Sequence, residues 1–148
     1  MGNSNLLRRF HQLPVILAWK LAILLARKTY HLNIVICDVT STESKYRDRL
    51  AADVKSILDD LALTSPELLQ RIQQHVRYIA RAEISNRFDY FVRPRLLLLD
   101  VDYRQERGDL RTSIKRDIVE AATLADQRFQ RGSQYYAPLH AHLESFTR

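Results

Sequence analysis

The chain of 148 residues has one cysteine, three glycines, four prolines and one tryptophan. The single cysteine, Cys37, excludes an internal disulfide. It lies in an apolar run, residues 32–37, with no His or Lys beside it. That reads as a packed, reduced thiol and not a nucleophile, since a reactive thiolate needs a nearby cation. A reducing compartment fits it. So few glycines and prolines argue against long structureless linkers, and no glycine-rich phosphate loop is present. Acids are missing from the first 37 residues; the first is Asp38. Histidine is missing between His75 and His140. No uninterrupted apolar run reaches the ~18–20 residues that a bilayer span needs.

What is present describes one domain. Apolar residues make up 46% of the chain, enough for one full core. The net charge of +6 is unevenly placed. Residues 1–37 carry Arg8, Arg9, Lys20, Arg27 and Lys28, whereas the remainder holds 18 basic and 17 acidic residues. Arg outnumbers Lys 18 to 5, which suits phosphate binding but also follows from a composition bias.

Residues 13–26 are apolar but for Lys20. Arg8 and Arg9 before this run resemble the front of a signal peptide, yet Arg27 and Lys28 stand where a cleavage site belongs. The Met-Gly start suggests myristoylation, but Leu6 stands where that motif wants Ser or Thr. Three readings stay open: a helix packed on the core, an interfacial helix with cationic flanks toward anionic lipid, and a true span. The interfacial reading places Arg8, Arg9, Trp19, Lys20, Arg27 and Lys28 at the membrane. We therefore divide the chain into a basic apolar N-terminal helix, residues 1–31, and a single α+β domain, residues 32–148.

Further along, residues 32–38 predict a β-strand, being apolar and β-branched. Thr40 and Glu43 form a capping box before a helix reaching about Leu61, with Tyr46, Leu50, Val54, Ile57 and Leu61 on one face. Asp48, Lys55 and Asp59 lie opposite, and Asp53 borders the apolar stripe. Ser65-Pro66 opens a second helix through Leu68, Leu69, Ile72 and Val76. Residues 77–82 extend that helix or form a strand. Turn signals at Ser85-Asn86 and Arg93-Pro94 bracket an aromatic patch, Phe88, Tyr90 and Phe91. Residues 96–101 predict a buried strand. Thr112 is placed to cap a long helix through Ile114, Ile118, Ala122, Ala125 and Phe129, which Gly132 ends. Pro138 opens a last helix with Leu139, Leu143 and Phe146 inward. The order α-β-α-α-β-β-α-α is that of an α+β domain with a small mixed sheet.

Several local features resemble an uncharacterised group of bacterial zincin-like proteins. They are the strand ending in Asp38-Val39, the stretch from Arg71 to Ile79, Asn86 to Tyr90 before Leu97 to Asp100, Ile118-Val119-Glu120-Ala121, Arg131-Gly132 with Tyr135, and Ala141 to Glu144. The resemblance implies a strand from about Arg77. It also implies a zincin-like sheet of about three strands packed with about five helices. In that group the late apolar helix carries two zinc histidines at i and i+4 around a general-base Glu. The matching positions here are Glu120 and Leu124, or Val119 and Thr123 one residue earlier. Neither pair binds zinc, so the resemblance implies a relic base at Glu120 with no metal-activated water to work on, and no cofactor.

Other candidate sites are sparse. His140 and His142, two apart on a helix, point about 200° apart and do not chelate together. Asp100, Asp102, Glu106 and Asp109 have the chemistry for a hard cation, though Arg104 and Arg107 interleave with them. Ser41, Thr42 and Ser44 have no His–Asp partner pattern. Arg77, Arg81, Arg87, Arg93 and Arg95 interleave with Tyr78, Phe88, Tyr90 and Phe91, as in single-strand nucleic-acid binders, but no nucleic-acid-binding signature accompanies them. We expect a non-catalytic scaffold, cytoplasmic or at the inner face of the membrane, meeting an anionic membrane surface or a protein partner. No small-molecule substrate is identifiable. A metal-dependent hydrolase with a non-standard site and a nucleic-acid-binding module are the alternatives.

Overall fold

The computed structural model describes residues 17–40, 44–84, 86–103 and 109–130. Its elements run α1 (residues 17–25), β1 (Lys28–His31), β2 (Ile34–Asp38), α2 (Ser44–Thr64), α3 (Pro66–His75), β3 (Tyr78–Arg81), β4 (Phe88–Phe91), β5 (Leu96–Leu99) and α4 (Leu110–Gln130). The five strands form one sheet in the order β1-β2-β3-β5-β4. β2, β3 and β5 are parallel, and β1 and β4 close the two edges antiparallel.

The central strands are apolar because both their faces are covered, as a parallel sheet requires. Every residue of β2 and of β5 is buried. Side chains alternate between the faces. Ile34, Ile36, Ile79, Leu97 and Leu99 point toward α2, α3 and α4, where Leu50, Val54, Ile57, Ile72, Ile114 and Ile118 meet them. Cys37, Ala80, Leu96 and Leu98 point the other way, where α1 contributes Ile23 with half-buried Trp19 and Ala26.

The sheet corrects the zincin-like expectation of about three strands with about five helices: it has five strands and the described residues hold four helices. Both additional strands are four-residue edges. β4 is the aromatic patch itself, with Phe88 opposite Leu99 and Phe91 opposite Leu96. β1 occupies residues 28–31, expected at the end of the N-terminal helix. The division between residues 31 and 32 thus falls inside a β-hairpin, in which His31 pairs with Ile34. Its two-residue turn has positive φ at Leu32 (46°) and Asn33 (66°), the pattern of a type I′ turn, whose twist matches that of the strands. Gln73 Nε2 donates to the Leu32 carbonyl and Arg77 Nη1 to that of Asn33, fastening the turn to the end of α3 and the start of β3.

Two helix starts also differ. α4 begins before Thr112: Asp109 is its cap, accepting from both the backbone N–H and the hydroxyl of Thr112. Those bonds, the hydroxyl's first, hold the Asp109 carboxyl below its ordinary pKa. At α3, Ser65 takes the N-cap place, but its carbonyl, not its hydroxyl, accepts from Leu68 and Leu69. Expectations for Arg8, Arg9, Ser41, Thr42, Glu43, Arg104, Glu106, Arg107, Gly132, Pro138, His140 and His142 lie outside the described residues.

Candidate functional site

Parallel strands place their C-terminal ends at one edge of a sheet, where backbone ends and loops leave a crevice. Here that edge carries charge. Asp38 ends β2 and Arg81 ends β3, and the two are register partners. Asp100 follows β5 at the same edge. Arg81 Nη1 donates to Asp38 Oδ2 at 2.8 Å and Nε to the Val101 carbonyl at 2.6 Å. The other Asp38 oxygen accepts from the Thr40 backbone N–H and hydroxyl, at 2.9 and 2.8 Å. The Asp38 side chain is fully buried, so these partners are what make its charge tolerable there.

Aromatic rings support the guanidinium. Tyr46 of α2 and Tyr103 after β5 stack with centroids 6.5 Å apart, and Arg81 Cζ lies 5.2 and 5.7 Å from them. Arg49 Cζ lies 4.5 Å over the Tyr103 ring. The Tyr103 hydroxyl donates to Asp53 Oδ2 at 2.9 Å. Burial and the neighbouring Asp53 carboxylate push the Tyr103 pKa well up, so it acts as a hydrogen-bond donor and not as a base. Above this floor lies a cavity of 310 Å³, lined by Thr40, Arg81, Glu83, Asp100 and Asp102 with Ala82 and Val101. Its mouth is acidic: Glu83 and Asp100 are exposed and Asp102 is half-buried.

The structure separates the residues that the sequence grouped. Glu120 accepts from Arg87 Nη2, while Leu124 packs against the core beneath α4. Arg87 Nε also reaches Asp117 Oδ1 at 2.7 Å, without hydrogen-bond alignment. Burial raises the Asp117 pKa despite that cation. His75, from α3, meets Asp126 of α4 at 3.0 Å, with Arg71 Nε 3.5 Å from the other Asp126 oxygen. Among the described residues no group of three His, Cys, Asp or Glu is arranged to hold a metal ion. Asp100 and Asp102 share the crevice, but Asp109 is spent as the cap of α4.

The Arg–aromatic stripe is likewise divided. Phe88, Tyr90 and Phe91 are buried, so none offers a face to a base. The Tyr90 hydroxyl donates to the His75 carbonyl. Arg81 is buried at the crevice floor, and Arg77 and Arg95 donate to the carbonyls of Asn33 and Gln74 at the opposite end of the strands. Of the expected membrane contacts, Lys20 and Arg27 are exposed. Trp19 instead packs inward, and Lys28 folds its ammonium onto the carbonyls of Leu24 and Ala26 at 2.9 and 3.1 Å. No described helix is long and apolar enough to cross a membrane.

Sequence reasoning named Asp100 and Asp102 but missed the crevice floor that they adjoin. Asp38 and Arg81 are 43 residues apart, and Arg81 was grouped with a stripe to which it does not belong. The available signal was a charge ending each of two apolar strands, followed by Asp100 after a third.

No protein-family model, no curated protein and no solved structure matches the chain. The resemblance to zincin-like proteins rests on the quoted residues alone.

Proposed function

We propose that the chain is a non-catalytic binding domain whose ligand seat is the crevice at the C-terminal ends of β2, β3 and β5, and that its ligand is a small organic cation. The observation that carries this is the charge of the cavity. Among the described lining residues the guanidinium is Arg81, which is paired with Asp38, while the carboxylates of Glu83 and Asp100 are exposed at the mouth. This sits in a chain of net charge +6. A local negative field in a basic protein draws an amine or guanidinium and rejects phosphate or carboxylate. The volume of 310 Å³ is at the small end of the ~300–1,000 Å³ usual for ligand sites.

Three observations favour binding over chemistry. Burial pushes the Cys37 thiol up to about 11, which leaves it protonated at neutral pH. Glu120 is committed to Arg87. Tyr103 and the Asp38–Arg81 pair are engaged in bonds that hold elements together.

The test is a thermal-shift series with putrescine, magnesium, calcium and inorganic phosphate on the whole chain. At roughly a hundredfold excess over Kd, putrescine should raise Tm by about 5 °C or more. The Glu83→Gln/Asp100→Asn protein should lose that shift while retaining its fold, since both side chains are exposed. A shift with phosphate and none with putrescine would overturn the reading. A shift confined to magnesium or calcium would replace the organic cation with a metal.

A further inference from the structure

The crevice leaves the outer side of α1 unaccounted for. Along the described residues of this helix, Leu17, Leu21, Leu24 and Leu25 are 62, 57, 69 and 78% exposed. Leu17, Leu21 and Leu24 follow the i, i+4, i+7 spacing of one stripe, with Leu25 beside it. They are not misplaced core residues, because α1 also has an inner side: Trp19, Ile23 and Ala26 pack on the sheet. α1 is apolar on both sides, whereas a helix on a water-facing surface carries its polar residues outward.

The charged side chains of the described segment 17–37 are all cations: Lys20, Arg27 and Lys28. Lys20 and Arg27 are exposed at the stripe. Lys28 caps the last carbonyls of α1 and adds its charge to the same end. Tyr30 extends the patch. It is 68% exposed, and its pairing with Val35 puts it on the α1 side of the sheet. A phenol on the same side of the sheet as exposed leucines and cations is the composition of a membrane–water boundary.

We propose that the outer side of α1 docks on an anionic lipid surface, with Leu17, Leu21, Leu24 and Leu25 entering the acyl boundary. Tyr30, Lys20 and Arg27 lie at headgroup level. The cations choose the occupant: an anionic bilayer complements Lys20 and Arg27, and four exposed leucines beside them need an apolar phase. This differs from the contact expected from the sequence, because Trp19 belongs to the inner side. The crevice plays no part in it, so the two proposals stand or fall separately.

The experiment is flotation of the full chain with phosphatidylcholine vesicles, alone or mixed with phosphatidylserine, at low and high salt. The full chain should float with the mixed vesicles at low salt and be released at high salt. Leu21→Ser/Leu24→Ser/Leu25→Ser should keep the far-UV circular dichroism of the parent, since these side chains are exposed. It should lower the partition coefficient by at least about tenfold. Lys20→Glu/Arg27→Glu should lower it by about fivefold or more for each cation removed. No flotation with anionic vesicles overturns the proposal, as does equal flotation of the leucine variant. If the parent is a dimer that the leucine variant converts to monomer, with neither floating, a second copy is the occupant and the lipid reading fails.

Discussion

The two faces of the sheet are built from the same strands and end differently. On one face, Ile34, Ile36, Ile79, Leu97 and Leu99 are roofed by α2, α3 and α4. The outer sides of α2 and α4 carry mainly charge and small residues, such as Asp48, Asp59 and Arg116, with Leu63 the exception. On the other face, the described roof is a single helix whose outer side carries four leucines. The central strands β2 and β5 are buried on both faces, so the core alone does not distinguish them. The outward residues do. One roof ends at water, and the other presents a second apolar layer that has its own partner to find.

The largest effect we expect sharpens the closed side. Arg81→Ala removes the cation from the fully buried Asp38 carboxylate and should cost about 3–5 kcal/mol, measured by urea unfolding. Asp38→Asn/Arg81→Met should cost less than the two single changes summed, because no buried charge is left alone. A small cost for Arg81→Ala would show that the crevice floor is wetter than its geometry indicates.

Next comes the direct contrast. Ile57→Ala under α2 empties a fully buried site and should cost about 2–5 kcal/mol. Leu24→Ala on α1 should change stability by no more than about 0.5 kcal/mol in the absence of lipid. Equal costs would break the comparison, since they would mean that the outer side of α1 is itself covered.

Much of the closed side was legible in the sequence, because burial on one helix face writes a 3.6-residue period. Leu50, Val54, Ile57 and Leu61 marked α2, and Ile114, Ile118, Ala122 and Ala125 marked α4. The runs of β2 and β5 were legible because strands covered on both faces read as unbroken apolar segments. The edge strands were not. Lys28–His31 and Phe88–Phe91 are four residues each, too short to show a period, and become strands through pairing with β2 and β5. The crevice floor was illegible for the same reason, as it joins residues from β2, β3 and the segment after β5.

Smaller effects come from titration. On α4, Asp117 and Asp109 shift in opposite directions. A carboxyl raised in the folded state lends stability below its ordinary pKa near 4 and loses it as pH climbs through the raised value. Asp117→Asn should therefore flatten the fall in Tm above that pH. Asp109 is lowered, so its contribution is present above the ordinary value and is lost as pH drops through the folded one. Asp109→Ala should lower Tm at neutral pH and make little difference in strong acid. Matching pH profiles for both variants would contradict these signs.

The smallest effect lies under α1. Native Cys37, fully buried with its thiol pushed up to about 11, should react with iodoacetamide at pH 8 no faster than the protein unfolds. Labelling at the rate of a free thiol would show that α1 lifts from the sheet.

By itself the sequence determined the local quantities: the apolar faces of α2 and α4, the apolar strands β2 and β5, and that the N-terminal part is apolar and cationic. These follow from periodicity and composition along a few neighbouring residues. Only the tertiary structure decided that Trp19 faces in while Leu21 and Leu24 face out, because an almost wholly apolar run carries no period to orient it. It also decided that Asp38 and Arg81 meet, and that Glu120 is held by Arg87. Those pairings join residues far apart in the chain, and parallel strands bring such residues together only when the sheet forms.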